Sequence, residues 1–360
     1  MSYDIAIVGA GIAGASLAAE LAPHARVILL EAESQPGYHS TGRSAAFWSE
    51  TYGGPRIQPL TSASGPALRA GGFLDPLGSL HIGRAGDRAR AESFIAEFAH
   101  SGIGLHAIDP ASLVPGLRPE WSVGVLEASC AYIDVAGLHA ACLGTARRAG
   151  ADLRVRAALV AARREGGGWL LQTGAGEVRA EMVVNAAGAW ADPVASLFGA
   201  RPLGIQPYRR TLVQLRTDPE APHGMPHVAD LSGAFYFKPE AGGKLWLSPH
   251  DETPVDPSDV QPEEMDVAIA IDRLEGVVDW KIAAVERKWA GLRSFAPDRL
   301  PVYGFDPQVP GLFWCAGQGG FGIQTAPAAA MLAAALLLGR TPDPLVAALD
   351  PADYAPGRFG

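Results

Sequence analysis

The feature that most constrains this 360-residue chain lies in its first thirty-one positions. Residues 5–8, Ile-Ala-Ile-Val, form an apolar run that ends on Gly9-Ala10-Gly11-Ile12-Ala13-Gly14. Such a run, stopped by glycine, reads as a strand buried on both faces. Residues 11–21 are strong helix formers with helical periodicity, and residues 26–31, Arg-Val-Ile-Leu-Leu-Glu, give a second buried strand. Strand, glycine turn, helix and strand make a βαβ unit and commit the chain to a parallel sheet. A lone G-x-G-x-x-G is a weak signal. Here it follows a strand, opens a helix, and has an acidic residue, Glu31, 22 positions after Gly9, close to the offset of about 20 in dinucleotide sites. Gly9 permits the turn, Gly11 lets a diphosphate approach the backbone, and Gly14 lets the helix pack close to the sheet. The helix N-terminus offers free N–H groups and the positive end of its dipole. Glu31 suits ribose hydroxyls, and its charge repels a 2′-phosphate. The fingerprint alone does not separate NAD from FAD.

The signature recurs far down the chain. Residues 181–185 run into Ala186-Ala187-Gly188, and residues 312–316 run into Gly317-Gln318-Gly319-Gly320 and then an alanine-rich helix from about 324 to 338. One sheet assembled from distant pieces is expected. Between them, residues 208–216, 234–238 and 244–247 are alternating or aromatic-rich, with a Gly242-Gly243 turn, and read as antiparallel strands of a second domain. The expected class is therefore α/β with two domains: a Rossmann-like parallel-sheet domain and an antiparallel-sheet domain.

Composition excludes several classes. Apolar residues at 48% supply a core, and a net charge of −9 argues against nucleic-acid binding, which needs clustered cations. Cys130, Cys142 and Cys315 lack CxxC spacing, so neither a disulfide framework nor a zinc site is expected. They read as small buried residues in a reducing compartment. No secretion signal opens the chain, and the longest apolar run, 327–338, is shorter than the roughly 20 residues a spanning helix needs. The expectation is a cytoplasmic protein with no integral membrane span, peripheral membrane contact staying open.

Three further segments carry a resemblance. They are Ser40-Thr41-Gly42-Arg43-Ser44-Ala45-Ala46, Asn185-Ala186-Ala187-Gly188-Ala189-Trp190, and Gly291-Leu292-Arg293 followed by Pro297-Asp298 and Pro301. With the N-terminal fingerprint and the 317–324 loop, they resemble the D-amino-acid oxidase (DAO) superfamily of FAD-dependent oxidoreductases over nearly the whole chain. Within it, the motifs are most similar to those of bacterial D-arginine dehydrogenases. The resemblance implies a non-covalent FAD; Cys315, inside a buried strand, is not expected to bond it. It places the adenosine and diphosphate at Gly9, Ala10, Gly11, Ile12, Ala13, Gly14, Glu31, Ala32 and Val160. It brings Ser40, Thr41, Arg43, Ser44, Ala45 and Ala46 near the flavin, with Ala187, Gly188 and Trp190. Gly319, Gly320, Gly322, Ile323, Gln324 and Thr325 complete the cofactor set. A discontinuous FAD domain (1–75, 140–205, 298–355) and a substrate domain (76–139, 206–297) are expected.

Arg293 is embedded in apolar sequence, and a desolvated guanidinium needs an anion, for which a substrate carboxylate fits its planar fork. Arg210 heads another apolar strand, with Arg209 adjacent, and either of the two is eligible to point inward. The resemblance assigns carboxylate binding to Arg293 and Arg210, helped by Tyr236. It puts Tyr52 over the site and gives the Gly320 carbonyl to the substrate amine. The pocket for the substrate side chain would involve His81, Phe47, Ser49, Gly233 and Ile323. His81 and Gly233 stand where D-arginine dehydrogenases carry acids, Phe47 where they carry histidine, and Ser49 where they carry threonine. A buried guanidinium lacking a carboxylate partner costs several kcal/mol, so an apolar, aromatic or small D-amino acid is expected rather than D-arginine. The expected reaction is oxidative deamination to a 2-oxo acid and ammonia, with a quinone or O2 as electron acceptor. His39 and Tyr52 are candidate bases for the amine. Two alternatives stay open: oxidation of a secondary amine or 2-hydroxy acid, and a non-catalytic flavoprotein scaffold.

Overall fold

The computed structural model describes residues 2–360. Among the described residues, two large sheets dominate, of eight and ten strands. The eight-stranded sheet is centred on Ser2–Val8, flanked in parallel by Val27–Leu30 and Gly176–Asn185. Gly176–Asn185 pairs with Gly168–Thr173 along its first half and with Leu312–Ala316 along its end. Alternation explains the continuous apolar strings. Ile5, Ile7, Val27 and Leu29 face one core, under the helices Ile12–Leu21 and Ala326–Leu338, while Ala6, Val8, Ile28 and Leu30 face a second core containing Trp169, Phe198 and Trp314. Both faces of these strands are covered, so no polar position is tolerated between.

Register fixes where function can sit. Val8 lies opposite both Leu30 and Asn185, and Asn185 lies opposite Trp314. The parallel strands therefore end level, and their glycine turns crowd the carboxyl edge, where open α/β sheets bind ligands. Gly9 has φ +103°, and the helix that follows passes so close that a Cβ on Gly14 would overlap the Gly9 carbonyl oxygen.

The ten-stranded sheet pairs Gln206–Asp218 with Lys281–Phe295 and continues through Lys244–Ser248, Tyr236–Glu240, His227–Asp230, Ser79–Gly83, Val123–Glu127 and Leu105–Ile108. Its odd residues Val213 and Leu215 pack into a core with Val267, Ala270 and Leu274 of the helix Glu264–Glu275. The even residue Leu212 of the same strand, Gln206–Asp218, points the other way and joins Tyr236, Phe47 and Ala45. The sheets meet at one seam, where Ser294 and Phe295 pair with Gly319 and Gln318 of the loop leaving Leu312–Ala316. Strand segments of the second sheet before and after the inserted residues 131–205 explain why no single cut separates the two layers.

Replacing Gly14 by alanine is expected to lower the thermal midpoint by at least about 5 °C or to prevent folding, because the clash is with backbone. Gly86→Ala, at a site with open space around it, is the matched control and should melt within about 2 °C of the parent.

Candidate active site

A cleft of about 430 Å³ runs along the carboxyl edge of the first sheet to the face of the second. One end is formed by Glu31, Ala32, Glu33, His39 and Trp190; the middle by Gly9, Gly11, Ile12, Ala13, Ser40, Thr41, Arg43, Ser44, Ala45, Ala187 and Gly188. The far end is formed by Arg210, Leu212, Arg293, Gly319, Gly320, Gly322 and Ile323. Most of the sequence-predicted cofactor residues, with Arg210 and Arg293, are thus brought to one elongated surface from six separate stretches of chain.

The first end suits a nucleotide. Glu31 is 8% exposed; its Oε2 accepts the Ala10 amide and its Oε1 the Glu33 amide, both at 2.9 Å. A carboxylate has about four acceptor positions, so capacity remains for ribose hydroxyls. The Thr41 hydroxyl accepts the Ile12 amide at 3.0 Å, taking up one of the free helix N–H groups assigned to a diphosphate. Ser40 donates to the Leu292 carbonyl at 2.8 Å, Arg43 to the Val260 carbonyl at 3.0 Å, and Trp289 to the Arg43 carbonyl at 3.1 Å. The 40–45 loop is therefore stitched to the second sheet as well as lining the cleft.

Several expected cofactor contacts move. Val160 is 59% exposed, at a register shift between Leu159 and Ala161 in a strand with no buried residue; Ala157, Ala158 and Leu159 line the cleft instead. Ala10 and Gly14 shape the turn without reaching the wall. Ala46 packs toward the Trp48 cluster, away from the wall. Gln324 and Thr325 are buried behind it, Gln324 bonding Tyr52 and Thr61, and Thr325 bonding the Phe321 carbonyl.

The far end is built by strand register. Arg210 lies opposite Gly291 and Tyr208 opposite Arg293, so the two arginines are diagonal neighbours on the same face. Parity also separates Arg209 from Arg210. Arg209 faces the helix side, where Glu263 and Asp266 pair with it. Arg210 is 3% exposed on the cleft side. Its Nε donates to the Asp251 carbonyl at 2.7 Å and one terminal nitrogen to Glu252 at 3.1 Å. Arg293 has a long 3.5 Å contact from one terminal nitrogen to the Tyr236 hydroxyl. In each, the other terminal nitrogen is buried and has no partner among the described residues. Burial, with the neighbouring Arg293, pulls Arg210 down to about 10, so it stays charged at neutral pH. A Cβ on Gly320 would collide with the Tyr52 hydroxyl and sit 3.1 Å from Arg293 Nε, so Gly320, Tyr52 and Arg293 converge.

The side-chain pocket differs from expectation. Phe47 is central: its ring centroid is 4.3 Å from His227, 5.3 Å from Tyr52 and 6.1 Å from Tyr236. His81 lies behind this wall, packed on Phe94 at 4.5 Å and linked to His227 through Ser79. Ser49 is spent on Glu127, to which its hydroxyl donates at 2.8 Å. Gly233 presents its carbonyl to His250. His39 is not near the arginines; it pairs with Glu33 and leans on Trp190 at the nucleotide end. Sequence reasoning missed His227, His250, Asp251 and Glu252. The Pro249-His250-Asp251-Glu252 cluster after an alternating strand was the available signal for the last three.

Comparisons with known proteins bear on the family and the fold. The DAO family model, described as FAD dependent oxidoreductase, matches residues 4–336. Glycine oxidase of Pseudomonas aeruginosa is 29% identical over 394 aligned positions, covering 99% of both chains. The crystal structure of glycine oxidase from Geobacillus kaustophilus superposes with a TM-score of 0.84 at 25% identity, covering 98% of each chain. L-proline dehydrogenase from P. horikoshii shares the fold, with a TM-score of 0.85 at 22% identity over 99% of this chain and 98% of its own. Glycine oxidases thus match along the full length, whereas the likeness to D-arginine dehydrogenases rests on short motifs.

Three imidazoles near the site are held neutral. Burial pushes His81 down to about 4 and His227 well below its ordinary value; burial with Arg210 and Arg293 pushes His250 down to about 3. Unfolded, each binds its proton near pH 6.5. Below that pH the unfolded chain holds more protons than the folded one, so stability rises with pH there. Thermal melts should show a constant midpoint above about pH 7 and a progressive fall from pH 6.5 toward 4. His81→Asn should flatten that slope; an unchanged slope would remove His81 from the balance.

Proposed function

The chain belongs to the DAO family of FAD-dependent oxidoreductases, and from that premise we propose that it oxidises a small carboxylate-bearing amine at the carbon beside nitrogen. The substrate class is glycine-like: glycine itself, a small D-amino acid, or a small secondary amine such as sarcosine. The observation that carries this reading is the pair of same-face guanidinium groups, Arg293 and Arg210, each with a buried terminal nitrogen lacking a partner. Buried donors left unmade are costly, and a carboxylate oxygen is the group that satisfies two of them at once.

The cleft residues fit FAD: a glycine turn and helix N-terminus at one end, Glu31 for the ribose, and the seam of Gly319 and Gly320 beside Arg293 at the other. When bound, the flavin supplies a two-electron acceptor for the substrate hydride, later re-oxidised by O2 or a quinone. This chain's residues do the rest. Arg293 and Arg210 hold the carboxylate, with the Tyr236 hydroxyl beside Arg293. Gly320, lacking a side chain, leaves room next to Tyr52 for the substrate carbon, and its carbonyl is available to the amine. His250 is too weak a base, at about 3, to take the amine proton. Of the two candidate bases, His39 lies at the nucleotide end, which leaves Tyr52, beside Gly320, or solvent to take the amine proton.

The Phe47–His227–Tyr236 wall favours the small-substrate reading over a long side chain, since Phe47 packs by Tyr236, whose hydroxyl meets Arg293. Glycine oxidase relatives support it. A secondary amine remains a second reading on the same observation, since the wall restricts the carbon side chain while a methyl on nitrogen lies near the small Gly320.

Anaerobic mixing of the yellow protein with glycine, D-alanine, L-alanine, sarcosine and L-lactate tests the reaction. Bleaching by glycine, D-alanine or sarcosine is expected; bleaching by L-alanine or L-lactate alone would refute it. Arg293→Ala should keep its flavin and lose roughly 10²–10³-fold in kcat/KM. Phe47→Ala should shift preference toward D-phenylalanine over glycine by roughly ten-fold or more; an unchanged ratio would remove Phe47 from the pocket wall.

A further inference from the structure

The segment that delivers Tyr52 is held from two sides by long polar side chains. On one side stands Glu127, at the end of the strand Val123–Glu127 and 0% exposed. Its Oε2 accepts the Ser49 hydroxyl at 2.8 Å and the Thr51 hydroxyl at 2.6 Å; its Oε1 accepts the Glu50 amide at 2.7 Å. The Ser129 hydroxyl adds a 3.4 Å contact. All of these partners are neutral. On the other side, Gln324 Oε1 accepts the Ser49 amide at 3.3 Å, and its Nε2 donates to the Tyr52 carbonyl at 3.1 Å. Gln324 stands two residues after the 317–322 glycine loop. Residues 49–52 are thus pinned between the second sheet and the loop that carries Gly320.

We propose that Glu127 is a positioning residue for substrate binding: by fixing residues 49–51 it holds the Tyr52 hydroxyl over Gly320 and against Arg293. The proposal rests on the reading of Arg293 as the carboxylate site. A buried carboxylate is a poor choice for filling space, since burial raises its pKa and penalises its charge. Its two oxygens instead satisfy, at once, three donors spread over consecutive residues, which an apolar side chain cannot do. Tyr52 itself packs on Phe321 at 5.1 Å and Phe47 at 5.3 Å, contacts that fix its ring plane and leave its height to the backbone.

The test uses flavin-loaded full-length protein and two readouts: KM and kcat with the best amine of the panel, and the dissociation constant of acetate from its perturbation of the flavin absorbance. Glu127→Gln and Thr51→Val are each made in the parent and in Tyr52→Phe. Expected is a rise in KM and in the acetate dissociation constant of roughly ten-fold for Glu127→Gln, and a smaller rise for Thr51→Val, with flavin content retained. In Tyr52→Phe the same changes should add less than about two-fold. Equal losses in both backgrounds, or unaltered acetate binding, overturn the proposal. If Glu127→Gln does not fold, Thr51→Val decides alone. If no amine reduces the flavin yet acetate binding shows the coupling, the proposed reaction fails while the positioning role stands.

Discussion

The pairing of Tyr208–Arg210 against Gly291–Arg293 is the constraint on which the site depends. Antiparallel register makes the two arginines diagonal neighbours, at the about 7–8 Å spacing of such pairs. Two like charges on a mostly desolvated face repel each other, and the fold tolerates them because their surroundings are arranged unequally. Asp251 and Glu252 approach from a loop that returns along the same strand; the Asp251 carboxylate accepts the Thr211 amide at 2.7 Å and so fixes that loop to the strand it serves. Slipping the strand 206–218 by one residue would exchange Arg210 for Arg209 and move its apolar residues to the opposite face.

The second dependency is the seam. Ser294 and Phe295 hydrogen-bond to Gly319 and Gln318, so the last parallel strand of one sheet hands its glycine loop to the edge of the other. The same edge receives Ser40 on the Leu292 carbonyl. Nucleotide end and arginine end are therefore positioned by shared backbone, and relative motion of the two layers would break ladder bonds before it opened the cleft. Closeness at this seam also explains the glycines: a Cβ on Gly319 would run into the Phe295 ring.

The sequence made the scaffold legible where a local pattern had one physical solution. Residues 5–8, 27–30 and 312–316 are continuous apolar strings, and each became a strand, or part of one, covered on both faces. The glycine turns and Glu31 were legible because their chemistry is local. The arginine side was legible only to the level of type. That Arg210 and not Arg209 faces the cleft follows from parity together with acids on a helix some fifty residues away, which no local pattern reveals. His81 was read one layer too near because Ser79 and His227 intervene, and His227 enters from a strand paired in register with Ser79. Val160 failed by a single position: the wall ends at Leu159, where the chain turns into an exposed hairpin. Glu127 carried no signal, since its partners are nearly eighty residues distant.

The unequal tethering of the two arginines divides their work. Arg210 has three of its nitrogens to spend, and two are already bound to Asp251 and Glu252; Glu252 is in turn shared with Arg299 at 2.8 Å. Its position is set before any ligand arrives, and much of its charge is answered. Arg293 has only the long contact to a neutral tyrosine hydroxyl. An incoming carboxylate gains most from the less satisfied cation, because the desolvation of that guanidinium has been incurred without a compensating anion. On the proposed reading, Arg293 is then the ligand-bearing group and Arg210 the fixed field that keeps the anion from rotating away. The neutral state of His250 completes this arrangement: burial disfavours its charged form, a third cation facing Arg210 and Arg293 would be repelled by both, and its imidazole is deprotonated accordingly. The site thus holds one unanswered positive charge, which matches a monocarboxylate carrying a neutral amine better than it matches a dicarboxylate or a cation.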